Sequence, residues 1–138
     1  KKQQRSFHRS FFVYLSYQSI KKLKNSNLQQ QIALTLLPGM GYKRVRTILQ
    51  HTGSIEEFFR WKKKQFLEIP GIGKNLVHQM DRKQALEDAA KHLEFLDKNQ
   101  IQSYFYLEKD YPRRLNQCED APLLLFGKIW KTKTQDLN

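Results

Sequence analysis

Two stretches decide how this chain reads: Leu36 to Val45, LLPGMGYKRV, and Glu68 to Val77, EIPGIGKNLV. Pro38, Gly39, Gly41 and Val45 return 32 positions later as Pro70, Gly71, Gly73 and Val77. An apolar residue precedes each proline (Leu37, Ile69) and separates each glycine pair (Met40, Ile72). Helix-like sequence flanks both copies, so each is a turn that opens a helix. The first amides of a helix have no partner inside it, and glycine lets an anion approach them closely. Two such turns in a basic chain imply two phosphate contacts. The candidate residues are Gly39, Gly41, Gly71 and Gly73, with Lys43, Arg44 and Lys74 as counter-charge and Asn75 as a hydrogen-bond donor. Contacts of this kind hold the sugar-phosphate backbone and carry no base preference.

Working outward, Leu28, Ile32 and Leu36, with Ala33 and Leu37, fall at helical spacing, and Pro38-Gly39 ends that helix. A second helix follows Gly41, with Val45, Ile48 and Leu49 on one face, and stops at Gly53. Ser54 with Glu57 three residues on is a capping box that starts a third helix, which carries Ile55, Phe58, Phe59 and Trp61 inward. Phe66 and Leu67 form a short helix or turn before the second hairpin. Helix then runs from Lys74 to Asn99 with a break near Asp81, and Leu86, Ala89, Ala90, Leu93 and Leu96 make its stripe. Ile101 to Leu107 and Leu123 to Phe126 read as strands.

The organisation expected is mainly α: a basic segment at 1–26, irregular and read as disordered or spurious; a tandem-hairpin helical module at 27–99; the opening strands of an incomplete α/β domain at 100–128; and an irregular tail at 129–138. Two strands cannot bury a core alone. Either they pack on the helices or their own domain is cut off.

The formal charge of the 138 residues is +12. Residues 1–26 hold seven of the 25 Lys/Arg and none of the 13 Asp/Glu, so they supply +7 of it. Such a balance favours polyanionic partners and is silent on fold. Cys118 is the single cysteine, which excludes an internal disulfide and a cysteine-based metal site and fits a reducing cytoplasm. The four histidines do not fall at metal-ligand spacing. No apolar run approaches the ~18 residues that span a bilayer, so the chain reads as cytoplasmic. Tyr104, Phe105 and Tyr106 are secondary candidates for stacking on bases, and Lys62-Lys63-Lys64 for added non-specific affinity.

The repeated turns resemble the helix-hairpin-helix family of DNA-binding motifs, a SAM-like helical arrangement. That family commonly has a small residue where this chain has Val45 and Val77. Downstream, Tyr111-Pro112, Leu115, Asp120, Pro122, Leu125-Phe126 and Gly127-Lys128 form a Y-P-x-x-L…D-x-P-x-x-L-F-x-K pattern. With the hairpins before it, this pattern resembles the opening of the DNA processing protein A family (DprA, also called Smf), over about residues 28–128. The resemblance implies a Rossmann-like domain after the helical module. It also implies a role in natural transformation: binding incoming single-stranded DNA and loading the recombinase RecA onto it. After Lys128 the chain reads IWKTKTQDLN, without the Gly-x-Arg loop that the family carries. It therefore looks truncated, and the family's main DNA and RecA surfaces have no counterpart residues here.

No catalytic residue and no cofactor is expected. A base-excision glycosylase would need a carboxylate after the second hairpin, but Glu87 and Asp88 sit in ALEDAAKHL, an ordinary amphipathic helix. A nucleotide-binding Rossmann enzyme lacks its phosphate loop. The principal alternative is a protein-interaction module in which the hairpins are only turns.

Overall fold

The computed structural model describes residues 2–128, with side chains from Val13 onward. The tail expected at 129–138 lies outside the described residues. The order of elements is α1 (Lys2–Leu36), α2 (Tyr42–Thr52), α3 (Ile55–Arg60), α4 (Lys63–Phe66), α5 (Lys74–Gln79), α6 (Arg82–Lys98), β1 (Gln102–Phe105), α7 (Arg113–Asn116) and β2 (Leu124–Gly127). The protein is mainly helical, with a small two-stranded antiparallel sheet at its C-terminal end.

Most helix ends fall where local chemistry sets them. Gly53 closes α2 at φ 87°, donating its N–H to Leu49 O. Ser54 Oγ accepts from Glu57 N at 3.1 Å, which is half of the expected capping box. The other half is missing because the Glu57 carboxylate turns to Arg60 at 3.5 Å instead. The break near Asp81 is real: its carboxylate caps α6 by accepting from Gln84 N at 3.0 Å.

The start of the chain differs from expectation. Helix α1 begins at Lys2, not near Leu28, so residues 2–26 are helical rather than irregular. No proline or glycine occurs before Pro38, and Leu, Lys, Arg and Gln recur throughout, so nothing local interrupts the helix once its C-terminal third is packed. That third is where burial lies. Ile32, Ala33, Leu34 and Leu37 are in the core, whereas Val13, Tyr17, Ile20 and Leu23 stand exposed.

Helices α1 and α6 form the most extensive pair. Small residues let them approach: Ala33 on α1, Ala85 and Ala89 on α6, all buried. Gln29 Nε2 donates to Leu86 O across the pair at 2.9 Å. Phe58, Phe66 and Trp61 make an aromatic centre under α3 and α4, with ring centroids 5.3–5.4 Å apart. Arg82 ties α6 to that centre: it lies over the Phe66 ring and donates to Phe58 O at 2.6 Å.

Strands β1 and β2 pair antiparallel, with Phe105 opposite Leu124 and Ser103 opposite Phe126. The connection folds back on itself because the Tyr111 hydroxyl donates to Pro122 O at 2.6 Å, bringing β2 alongside β1. The sheet packs on the helices. Phe105, Tyr106, Tyr111, Leu123 and Leu124 join the same continuous core as the helical residues. Phe105 and Tyr106 are thereby buried and unavailable to stack on bases, correcting that expectation; Tyr104 is half-buried.

Candidate nucleic-acid interface

The two hairpins have the same backbone. In the first, Met40 N donates to Leu37 O and Val45 N to Gly41 O; in the second, Ile72 N donates to Ile69 O and Val77 N to Gly73 O. Gly39 and Gly71 both have positive φ, 72° and 85°, a conformation that explains glycine at each third position of the turn. Gly41 and Gly73 are the N-caps of α2 and α5, with φ/ψ of −78°/171° and −92°/164°. The buried residues also match: Leu37 with Ile69, Met40 with Ile72, Val45 with Val77. Val45 and Val77 are 0 % and 5 % exposed, so the core has room for valine where a smaller residue is common.

Neither α2 nor α5 has a side-chain cap on its first turn, which is also true of α7 behind Pro112. Helices α3 and α6 have a side chain on their first amides, from Ser54 and Asp81. At α2 and α5 the cap is glycine, which has no side chain to offer. Among the described residues, nothing accepts from the backbone amides of Tyr42, Lys43 and Arg44, or of Lys74, Asn75 and Leu76. Gly39, Gly41, Lys43, Arg44, Gly71, Gly73, Lys74 and Asn75 are all exposed. The amides are thus open to an anion, and the partial positive charge at a helix start adds to that.

The hairpins adjoin each other. A Cβ built on Gly39 would meet Leu76 Cδ1, from the second hairpin's helix, at 3.0 Å. A groove of about 1370 Å³ runs beside Gly39, Gly41, Lys43 and Arg44 of the first hairpin and Gly71 of the second. Gly73, Lys74 and Asn75 do not line it.

The electrostatics of the two hairpins differ, which the sequence did not disclose. Glu119 and Asp120 form the far wall of the groove. Lys43 Nζ is 2.9 Å from Glu119 Oε2, a pair exposed on both sides. The hydrogen bond and the charge of Lys43 hold the Glu119 carboxyl below its ordinary value, and Glu119 raises the Lys43 ammonium in turn. Arg44 folds back to donate to Gly39 O at 2.6 Å. So both cations placed behind the first turn have partners inside the protein. Next to them the Tyr42 hydroxyl donates to Asn116 Oδ1 at 2.7 Å, which docks the C-terminal segment on the first hairpin. Only long-range packing brings residues 116–120 here; the Asp120 and Pro122 of the downstream pattern gave no sign of it.

Among the described residues no cluster of three or more His, Cys, Asp or Glu is placed to hold a metal ion, and no helix is long and apolar enough to cross a membrane. Asp88, weighed as a catalytic carboxylate, accepts from Gln84 Nε2 at 3.1 Å on the surface of α6.

Comparison with known proteins agrees with this geometry. Residues 32–80 match the family model of the SAM-like helix-hairpin-helix tandem, the segment that holds both turns. No curated protein and no solved structure matches the chain. The chain is therefore mainly helical and carries a tandem helix-hairpin-helix module over residues 32–80.

Proposed function

We propose that the protein binds the sugar-phosphate backbone of DNA without sequence preference, through the tandem hairpins. The observation that carries this reading is the pair of glycine-capped helix starts, alike in backbone hydrogen bonds and dihedral angles, whose amides are left open while α3 and α6 cap theirs with side chains. The residues in contact are Gly39, Gly41, Lys43, Arg44, Gly71, Gly73, Lys74 and Asn75. The excess of positive charge, +12 over the chain, supports it.

The finer reading is a part in DNA uptake of the DNA processing protein A kind: handling single strands in the cytoplasm before RecA takes them. Support comes from the order of the motifs, hairpins first and then Tyr111-Pro112 and Asp120-Ala121-Pro122. On this reading residues 27–99 are the DNA-binding module and 100–128 lead into the domain that meets RecA. A second reading, that the hairpins serve packing alone, draws on the contacts that residues 116–119 make with the first hairpin.

One pair of substitutions separates the two. Gly41 and Gly73 have negative φ, and a Cβ at either meets nothing within 4 Å. Aspartate fits both N-caps, accepts from the open amides and stabilises each helix by a few tenths of a kcal/mol or more. Gly41→Asp with Gly73→Asp therefore keeps the fold while filling the anion site with a carboxylate. Fluorescence anisotropy with a labelled oligonucleotide at two salt concentrations is expected to show salt-sensitive binding by the wild type and a loss of at least about tenfold in the variant. Undiminished affinity in the folded variant assigns the hairpins to packing.

A further inference from the structure

Beyond the hairpins lies a second basic surface with no assigned role. A pocket of about 560 Å³ opens where α3, α4 and the α5–α6 corner meet. Lys63, His78, Arg82 and Lys83 line it, and Phe59 and Leu86 form its apolar wall. Asp81 is the one carboxylate in the lining, and it is occupied capping α6. The groove at the first hairpin is instead balanced, with Lys43 and Arg44 against Glu119 and Asp120, and its lysine is already paired.

His78 of α5, the helix that the second hairpin opens, lines the pocket. Lys74 and His78 stand one turn apart on α5, on the same face and roughly 6 Å from each other. They lead from the open amides at Gly73 to the pocket mouth. Lys62 and Lys64 flank Lys63 and are exposed. The volume is that of a site for a small ligand, roughly 300–1,000 Å³. Cations around an apolar wall fit a unit that is anionic at one end and flat and apolar at the other. A nucleotide is such a unit, and its base is free to enter only when the strand is unpaired.

We propose that this pocket takes a nucleotide of a single strand that runs on from the second hairpin, with phosphate held by Lys63 and Lys83 and the base against Phe59 and Leu86. The proposal rests on the reading of the hairpins as a DNA contact, and adds to it a place on this chain where an unpaired base is held. Arg82 is not counted among the phosphate ligands, because its guanidinium is committed to Phe58 O and the Phe66 ring.

The test uses the full chain, a labelled oligothymidine and a labelled duplex, read by anisotropy over a salt series. Lys63→Gln with Lys83→Gln is expected to weaken single-strand binding on the order of tenfold and to flatten the salt slope by about 1.4, the value for two lost phosphate contacts on a single strand. Lys98→Gln with Lys109→Gln, an exposed pair outside the pocket lining, controls for net charge and is expected to change affinity less than about twofold. Phe59→Leu keeps an apolar side chain and removes the ring; it is expected to weaken single-strand binding several-fold and leave the duplex unchanged. Equal losses in the pocket and control pairs overturn the proposal, as does an equal effect of Phe59→Leu on both strands. If Gly41→Asp with Gly73→Asp still abolishes binding in that case, the hairpin reading stands and the pocket alone is dismissed.

Discussion

Lys43 shows how one side chain can be claimed by two partners. Its position behind the first turn suits a phosphate, yet its ammonium lies 2.9 Å from Glu119. Both groups are exposed, so the pair adds little to folding and is screened by salt. Its importance is to binding, because a polyanion must displace Glu119 or share Lys43 with it. Glu119→Gln is expected to raise DNA affinity about two- to fivefold at low salt, with the gain absent in a Lys43→Gln background. The depressed Glu119 carboxyl gives the sign of the pH effect. The pair is intact above the ordinary carboxylate range and is lost as pH falls through the lowered value. Tyr106 titrates at the other extreme. Burial, aided by Tyr42 and opposed by Arg46, pushes its phenol up to about 12 from 10.0. A folded value above the unfolded one means that this contribution is complete below pH ~10 and is lost as pH rises towards ~12. Alkaline unfolding, followed by circular dichroism, is therefore expected to begin in that window and to move to higher pH in Tyr106→Phe.

At the scale of elements, the hairpins are equal in backbone and unequal in surroundings. Gly39 and Gly71 share a left-handed conformation that costs another residue about 1–2 kcal/mol. Around Gly71 there is open space, whereas a Cβ at Gly39 would meet Leu76 Cδ1 at 3.0 Å and the Arg44 guanidinium at 3.2 Å. Gly39→Ala is thus expected to destabilise by about 2–3 kcal/mol and Gly71→Ala by about 1–2, measured by urea denaturation. Equal losses would mean that the contact between the hairpins relaxes freely. The same asymmetry bears on binding. The first hairpin is pressed between the second hairpin's helix and the segment carrying Asn116 and Glu119, whereas Lys74 and Asn75 lie outside the groove that segment borders.

For the molecule as a whole, one core decides cooperativity. Residues of α1, α2, α4, α6, β1 and β2 belong to a single buried cluster. The sheet alone is too small to be stable, so it folds because Phe105 and Leu124 reach the helices. Leu124→Ala is expected to cost about 2–4 kcal/mol and to lower the melting point of the helices along with the sheet, in one transition. Helical signal that melts at the wild-type temperature would instead make residues 100–128 an independent appendage. At this scale the exposed Val13, Tyr17, Ile20 and Leu23 of α1 stand apart from that core.

Much of this was legible in local sequence, because the relevant physics is local. A proline followed by two spaced glycines can do little but turn the chain and open a helix, and the match in phase between 36–45 and 68–77 made the tandem module readable. Gly53, Ser54 and Asp81 set their helix ends by bonds within a few residues, and the buried faces followed the 3.6-residue period except at Leu36 and Ala90, which are exposed. Three things were decided by tertiary structure. Residues 2–26 are helical although their charge and polarity pointed elsewhere, since helix continuity depends on the packed turns at 28–37. The strands are antiparallel, because Tyr111 closes the connection between them onto Pro122. And Glu119 comes to face Lys43 across 76 positions of sequence, a meeting that no spacing rule encodes, since it arises only when a shared core folds the two segments together.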